Sequence, residues 1–150
     1  VGESMSKIHV NIVSAEGEIF DGDAAMVFAP AQMGDVGIAP NHAPLLTGLK
    51  PGGVRVQPFV EGNEKAEELF FYVSGGVLEV QPKKITILAD TAMRAKDLDG
   101  AAAEEARRRA EEMLTERTSA VEVATAQAEL AAAAAQLHLL EKIKKAAKTR

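Results

Sequence analysis

Few side chains in this 150-residue chain could do chemistry. The histidines are His9, His42 and His138, and they fall on different elements with no second ligand at metal spacing. Cysteine is absent, which removes disulfides, thiol nucleophiles and thiolate metal sites together. Ser74-Gly75-Gly76 would present a nucleophile on a strand-to-helix elbow, but its surroundings predict a turn between strands. Glu111 and Glu112 fall on a helix surface among basic neighbours, where a solvated face accounts for them. No Gly-Lys-Ser/Thr loop offers to cradle a phosphate. The residues therefore predict no catalytic constellation, no metal centre and no cofactor.

Charge is more suggestive. Residues 1 to 97 carry 8 Lys and Arg against 13 Asp and Glu, whereas residues 98 to 150 carry 9 of each. The rear cations cluster at Arg107, Arg108 and Arg109 and again from Lys142 to Arg150. Such clusters bind nucleic acid, an anionic membrane or an acidic protein surface, or are simply solvated helix faces. No aromatic residue follows Tyr72, so nothing near those cations could stack on bases, which argues against nucleic acid. No run reaches the roughly 18 apolar residues of a membrane span. Neither a signal peptide nor an Arg-rich transit segment is legible, and residues 1 to 4 are set aside from fold reasoning.

The elements that must position these groups change character near residue 97. Ile8, Val10 and Ile12 alternate with Lys7, His9 and Asn11, the pattern of a half-buried strand. Residues 18 to 21 and 24 to 29 read as two more strands separated by an Asp21-Gly22-Asp23 turn. Residues 34 to 52, dense in Gly and Pro, predict short strands and corners. Val54 and Val56 mark a strand that Pro58 ends, and residues 61 to 68 an exposed hairpin loop. Strands at 69 to 74 and 77 to 81 are joined at Gly75-Gly76 in a tight hairpin, and a last strand covers 85 to 89. Together these predict an all-β sandwich or flattened barrel over residues 5 to 90.

Asp97 is the expected N-cap of a helix from Leu98, with Leu98, Ala102, Ala106, Ala110, Met113 and Leu114 along one face. After a polar break at 115 to 120, residues 122 to 147 form an alanine-rich stretch containing the unbroken run Ala131 to Ala135. Alanine has the highest helix propensity and the stretch far exceeds the length at which an isolated helix is marginal. Its face offers about 0.8 kcal/mol per buried methyl, so it forms readily and grips weakly. The predicted rear unit is an α-helical hairpin, residues 98 to 148, behind a linker at 91 to 97.

The segment from Gly34 to Gly52, Gly-Asp-Val-Gly-Ile-Ala-Pro-Asn-His-Ala-Pro-Leu-Leu-Thr-Gly-Leu-Lys-Pro-Gly, closely resembles a signature of the epsilon subunit of bacterial F-type ATP synthases. Residues 72 to 80, residues 89 to 92, and the stretch from Ala126 to Leu130 with the Lys-rich end extend the resemblance over residues 5 to 148. The resemblance implies a non-catalytic rotor subunit of a proton-translocating synthase, peripheral at the cytoplasmic face of the bacterial inner membrane. Its sandwich would bind the gamma subunit and sit on the c-ring. Its hairpin would rise toward the alpha and beta subunits and inhibit ATP hydrolysis. Asp35 matches the acidic tip that meets the ring, His42 matches a position near gamma, and Arg107, Arg108 and Arg109 would face an acidic loop of the head. Some relatives bind regulatory ATP through a Leu/Ile-Asp-x-x-Arg-Ala motif. Here Asp99 and Arg109 match, but Ala102 stands in place of the arginine, which implies weak or absent ATP sensing.

A free-standing adaptor, with the sandwich as a peptide or glycan receptor and the hairpin driving self-association, remains the competing reading. A small β-sandwich hydrolase ranks below it for want of a nucleophile with a base.

Overall fold

The computed structural model describes residues 6 to 62, 66 to 116 and 119 to 148. Residues 1 to 4, and parts of the loop expected at 61 to 68 and of the break at 115 to 120, lie outside the described residues. The chain divides into two compact units, Val1–Arg94 and Ala95–Arg150.

Among the described residues the first unit is a sandwich of nine strands: β1 (Ile8–Ser14), β2 (Gly17–Ala31), β3 (Gly34–Ile38), β4 (Leu45–Leu49), β5 (Gly52–Pro58), β6 (Leu69–Val73), β7 (Gly76–Gln81), β8 (Lys84–Ala89) and β9 (Ala92–Arg94). One layer runs β4, β7, β8, β1 and the first half of β2; the other holds β3, the second half of β2, β5, β6 and β9. Among the described residues all pairings are antiparallel except β1 with β8. The long β2 belongs to both layers, shifting register between Ala24 and Met26, and at Ala31 it meets Leu49 of β4 to close the barrel. Alternation does the sorting: Ile8, Val10, Ile12, Val27, Val54, Val56, Leu78, Val80, Ile85 and Ile87 are inward and buried.

The sandwich departs from the sequence expectation at three places. The Asp21-Gly22-Asp23 stretch is not a turn. It runs as strand, pairing with Asn11, Val10 and His9, because its two carboxylates are held by side chains of β1. Gly75 and Gly76 do take positive φ, 126° and 135°, but they do not close a hairpin. β6 pairs with β5 and β9 and β7 with β4 and β8, so this turn crosses between the layers. It runs beside the β8–β9 crossing, to which the amides of Ser74, Asp90 and Thr91 tie it at 3.0, 3.0 and 2.8 Å. Finally, residues 92 to 94, expected in a linker, pair with β6 as β9.

The second unit begins with a single tight helical turn, Ala95–Asp97, followed by α1 (Gly100–Thr115) and α2 (Ala120–Lys148). The N-cap is Asp99 rather than Asp97: its Oδ1 accepts from the amides of Ala101 at 3.0 Å and Ala102 at 3.1 Å. The helices pack antiparallel, since Gly100 at the start of α1 faces Leu140 near the end of α2. Ala103 and Ala110 of α1 and Ala126, Ala133 and Leu139 of α2 are the buried residues. The expected α1 face is therefore adjusted to Ala103, with Ala102 exposed. Successive steps of four, as from 98 to 102 to 106, drift around a 3.6-residue helix, while alternating steps of three and four hold one seam. An alanine seam lets backbones approach closely but buries about one methyl per contact, far less than the sandwich core.

Candidate functional site

The outer face of the β4–β7–β8–β1 layer is graded in polarity. Register places Val13 beside Leu88, Leu88 beside Val77 and Val77 beside Gly48, so one row across four strands is apolar. Leu88 is 54% and Val77 41% exposed, and Leu46 on β4, 71% exposed, extends the patch beside a shallow groove lined by Pro44, Leu45, Leu46, Glu79, Val80 and Gln81. At Gly48 the row ends under Gln32, whose side chain occupies the place of a Cβ. The next row mixes Asn11, Thr86, Glu79 and Leu46, and the one beyond brings His9, Lys84 and Gln81. Scattered exposed apolar residues are ordinary, but a row in register with a polar rim has the make-up of a protein interface.

Next to this face, the corner holding His42 is tightly built. Asn41 adopts a left-handed conformation, φ 67°, and its amide donates to Pro82 O at 2.8 Å. Lys83 Nζ donates to Asn41 Oδ1 at 2.8 Å, fastening the corner to the β7–β8 turn. His42 is half-buried; its amide donates to Ala39 O at 3.2 Å and its Nδ1–H to Ala43 O at 2.6 Å, which leaves Nε2 as the nitrogen available to a partner. Asp35 is exposed on β3, directly after the two-residue turn Gln32-Met33, whose Met33 is 98% exposed. Sequence reasoning passed over Met33, because a methionine in a two-residue turn carries no period.

The rear-unit residues are dispersed. Asp99 spends its Oδ1 on the helix start. Arg109 lies ten residues further on, about 15 Å along the axis, so the structure does not bring the two together. Ala102 is exposed and offers only its amide, already used by Asp99. Arg107 is paired within α1 to Glu104 and to Glu111, the latter at 3.4 Å, whereas Arg108 and Arg109 are exposed. No helix is long and apolar enough to cross a membrane, and no group of His, Cys, Asp and Glu could hold a metal, among the described residues.

One cluster was not anticipated. His9 Nε2 lies 2.5 Å from Asp21 Oδ1 and its Nδ1 3.0 Å from Asp23 Oδ1. Lys7 Nζ stands 3.1 Å from Asp23, and Asn11 Nδ2 donates to Glu18 at 2.6 Å. The Asp23 and Asp21 carboxylates hold the imidazole above its ordinary 6.5. His9 first and Lys7 second hold Asp23 below its ordinary 3.8. The available signal was the placing of Lys7, His9 and Asn11 on one side of β1, opposite a stretch with acid at alternate positions.

Comparison with known proteins covers both units. The family described as ATP synthase, Delta/Epsilon chain, beta-sandwich domain matches residues 7–95, and its long alpha-helix domain matches residues 96–141. The ATP synthase epsilon chain of Halorhodospira halophila is 60% identical over 144 residues, 96% of this chain and 99% of that one. That of Alkalilimnicola ehrlichii is 59% identical with the same coverage. Among solved structures, a chain of the Euglena gracilis mitochondrial ATP synthase in an OSCP/F1/c-ring assembly superimposes with a TM-score of 0.74 at 20% identity, over 95% of this chain and 84% of that chain, a likeness of fold.

Proposed function

The chain belongs to the ATP synthase delta/epsilon family, and from that premise we propose that it is the non-catalytic epsilon subunit of a bacterial proton-translocating synthase's central stalk. Its sandwich docks on the gamma subunit through the outer face of β4, β7, β8 and β1, while Met33 of the β2–β3 turn and Asp35 just beyond it on β3 meet the polar loops of the c-ring. The hairpin, with Arg108 and Arg109 exposed, reaches the alpha and beta subunits and restrains ATP hydrolysis. The subunit is thereby peripheral at the cytoplasmic face of the inner membrane.

The in-register apolar row of Val13, Leu88 and Val77, with Leu46 beside it, carries this reading. A face left so exposed on a sandwich whose core is elsewhere complete fits a permanent partner, and desolvating it supplies about 25 cal/mol per Å² before the costs of association. Charge substitution tests it. Leu88→Glu combined with Val77→Glu leaves the core untouched, since both side chains point outward. The variant should keep the sandwich's unfolding midpoint and bind purified gamma at least about tenfold more weakly. Unchanged gamma affinity sinks the assignment of this face, and a wild-type chain that dimerises through it and ignores gamma favours the adaptor.

A further inference from the structure

His9 on β1 stands between two carboxylates of β2, one at each ring nitrogen: Asp21 at 2.5 Å from Nε2 and Asp23 at 3.0 Å from Nδ1. A carboxylate accepts, so both nitrogens must donate. A neutral imidazole has one N–H and one lone pair, and either tautomer would aim that lone pair at an anionic oxygen. Only the doubly protonated ring fits both contacts. We propose that His9, Asp21 and Asp23 form a proton-operated clamp that fastens the start of β1 to β2, closed when the imidazole is charged and released when it is neutral.

The clamp's position makes it consequential. β1 pairs with β2 on one side and β8 on the other, and β2 passes from one layer to the other just beyond Asp23. The charged groups facing His9 come from each neighbouring strand. Asp21 and Asp23 lie on β2, with Glu18 further along engaged by Asn11. Lys84 of β8 is the residue opposite His9, and Lys7 sits on Asp23. Lys84 opposes the second proton and Lys7 competes for one acceptor, but the two direct carboxylate contacts outweigh both, in agreement with the upward shift of the imidazole.

The sign follows. A histidine whose folded value lies above 6.5 contributes stability in full below 6.5 and loses it as pH rises through the folded value. An aspartate held below 3.8 contributes above 3.8 and loses as pH falls through its folded value. The clamp is therefore strongest between 3.8 and 6.5.

The test uses the full chain. Histidine ring resonances are titrated by NMR, with His42 and His138 as internal comparisons and His9→Gln assigning the third signal. His9 should titrate above 6.5, and back toward it in an Asp21→Asn, Asp23→Asn double variant. The wild-type melting temperature should fall from about pH 6 to about pH 8.5, and that fall should shrink in His9→Gln. A His9 midpoint at or below 6.5 overturns the clamp, as does an equal thermal slope in both chains. Should His9→Gln fail to fold, the wild-type titration and the double variant still decide.

Discussion

Lys83 Nζ donates to Asn41 Oδ1 at 2.8 Å, across a corner where Asn41 holds φ 67° and its own amide is bonded to Pro82. Asparagine tolerates the left-handed region because its short polar side chain finds local partners, whereas alanine there crowds its Cβ against the backbone at about 1–2 kcal/mol. Asn41→Ala should thus destabilise the sandwich by about 1 kcal/mol, and Asn41→Gly by much less, since glycine loses only an exposed hydrogen bond. Urea unfolding followed through Tyr72, the single tyrosine, measures both. Equal losses would show that the hydrogen bond, not the backbone angle, matters here.

Gly76 is a harsher case. At φ 135° it sits where a Cβ would stand 2.1 Å from Leu88 O and 2.8 Å from Ala89 Cα, both backbone atoms of the paired strand. Neither can swing aside without breaking the β7–β8 register, which aligns Val77 with Leu88. Gly76→Ala should cost at least about 3 kcal/mol, from strain and clash together. Gly34, with φ 126° but open space around it, should lose less on the same change. A Gly76→Ala chain that melts within a few degrees of wild type would contradict this geometry.

Nucleotide binding at the base of the hairpin should be weak. Asp99 is occupied as the helix cap, Arg109 is about 15 Å away along α1, and Ala102 supplies no cation. Calorimetry with ATP and the isolated chain should give no submillimolar affinity. Ala102→Arg, on an exposed position of the first turn, restores the missing charge and should tighten binding if any nucleotide site persists. Asp99→Ala should instead cost about 1 kcal/mol of helix stability. Submillimolar ATP affinity in the unaltered chain refutes this account.

What the sequence made legible follows from period. Strands with strict alternation, such as β1, β7 and β8, and the alanine helix were readable because each residue's side is decided by one repeating rule. Asp21-Gly22-Asp23 was misread because turn chemistry is local, while the side chains that straighten it, His9 of β1 and Lys7 just before it, come from a separate segment. The partners of β6 and β7 were likewise hidden: Gly75-Gly76 has the right angles for a hairpin, and only pairing with β9 and β4 reveals a crossing. Asp35 and His42 were singled out through resemblance alone, and neither belongs to a pattern that charge or hydropathy could expose. The row of Val13, Leu88 and Val77 could not be foreseen, as it depends on register among strands distant in sequence.

The hairpin supplies the last and most consequential prediction. Its helices bury alanines against each other, Ala103 and Ala110 on one side and Ala126 and Ala133 on the other, so each is held to its partner by small contacts. Long helical arms of this composition keep their secondary structure when the seam opens. Two arrangements of such arms need differ by only a few kcal/mol, and a bias of about 1.4 kcal/mol shifts a population about tenfold. If the arms restrain hydrolysis by occupying one arrangement, removing residues 98 to 150 should leave the complex assembled, because the row proposed to meet gamma lies wholly in the sandwich. ATP hydrolysis by that complex should rise, and Arg108→Ala with Arg109→Ala should raise it part of the way by removing the exposed cations while sparing the seam. Coupled measurement of subunit stoichiometry and hydrolysis separates the roles: loss of assembly on truncation assigns the hairpin a structural task, and full assembly with unchanged hydrolysis leaves the arms without a braking function.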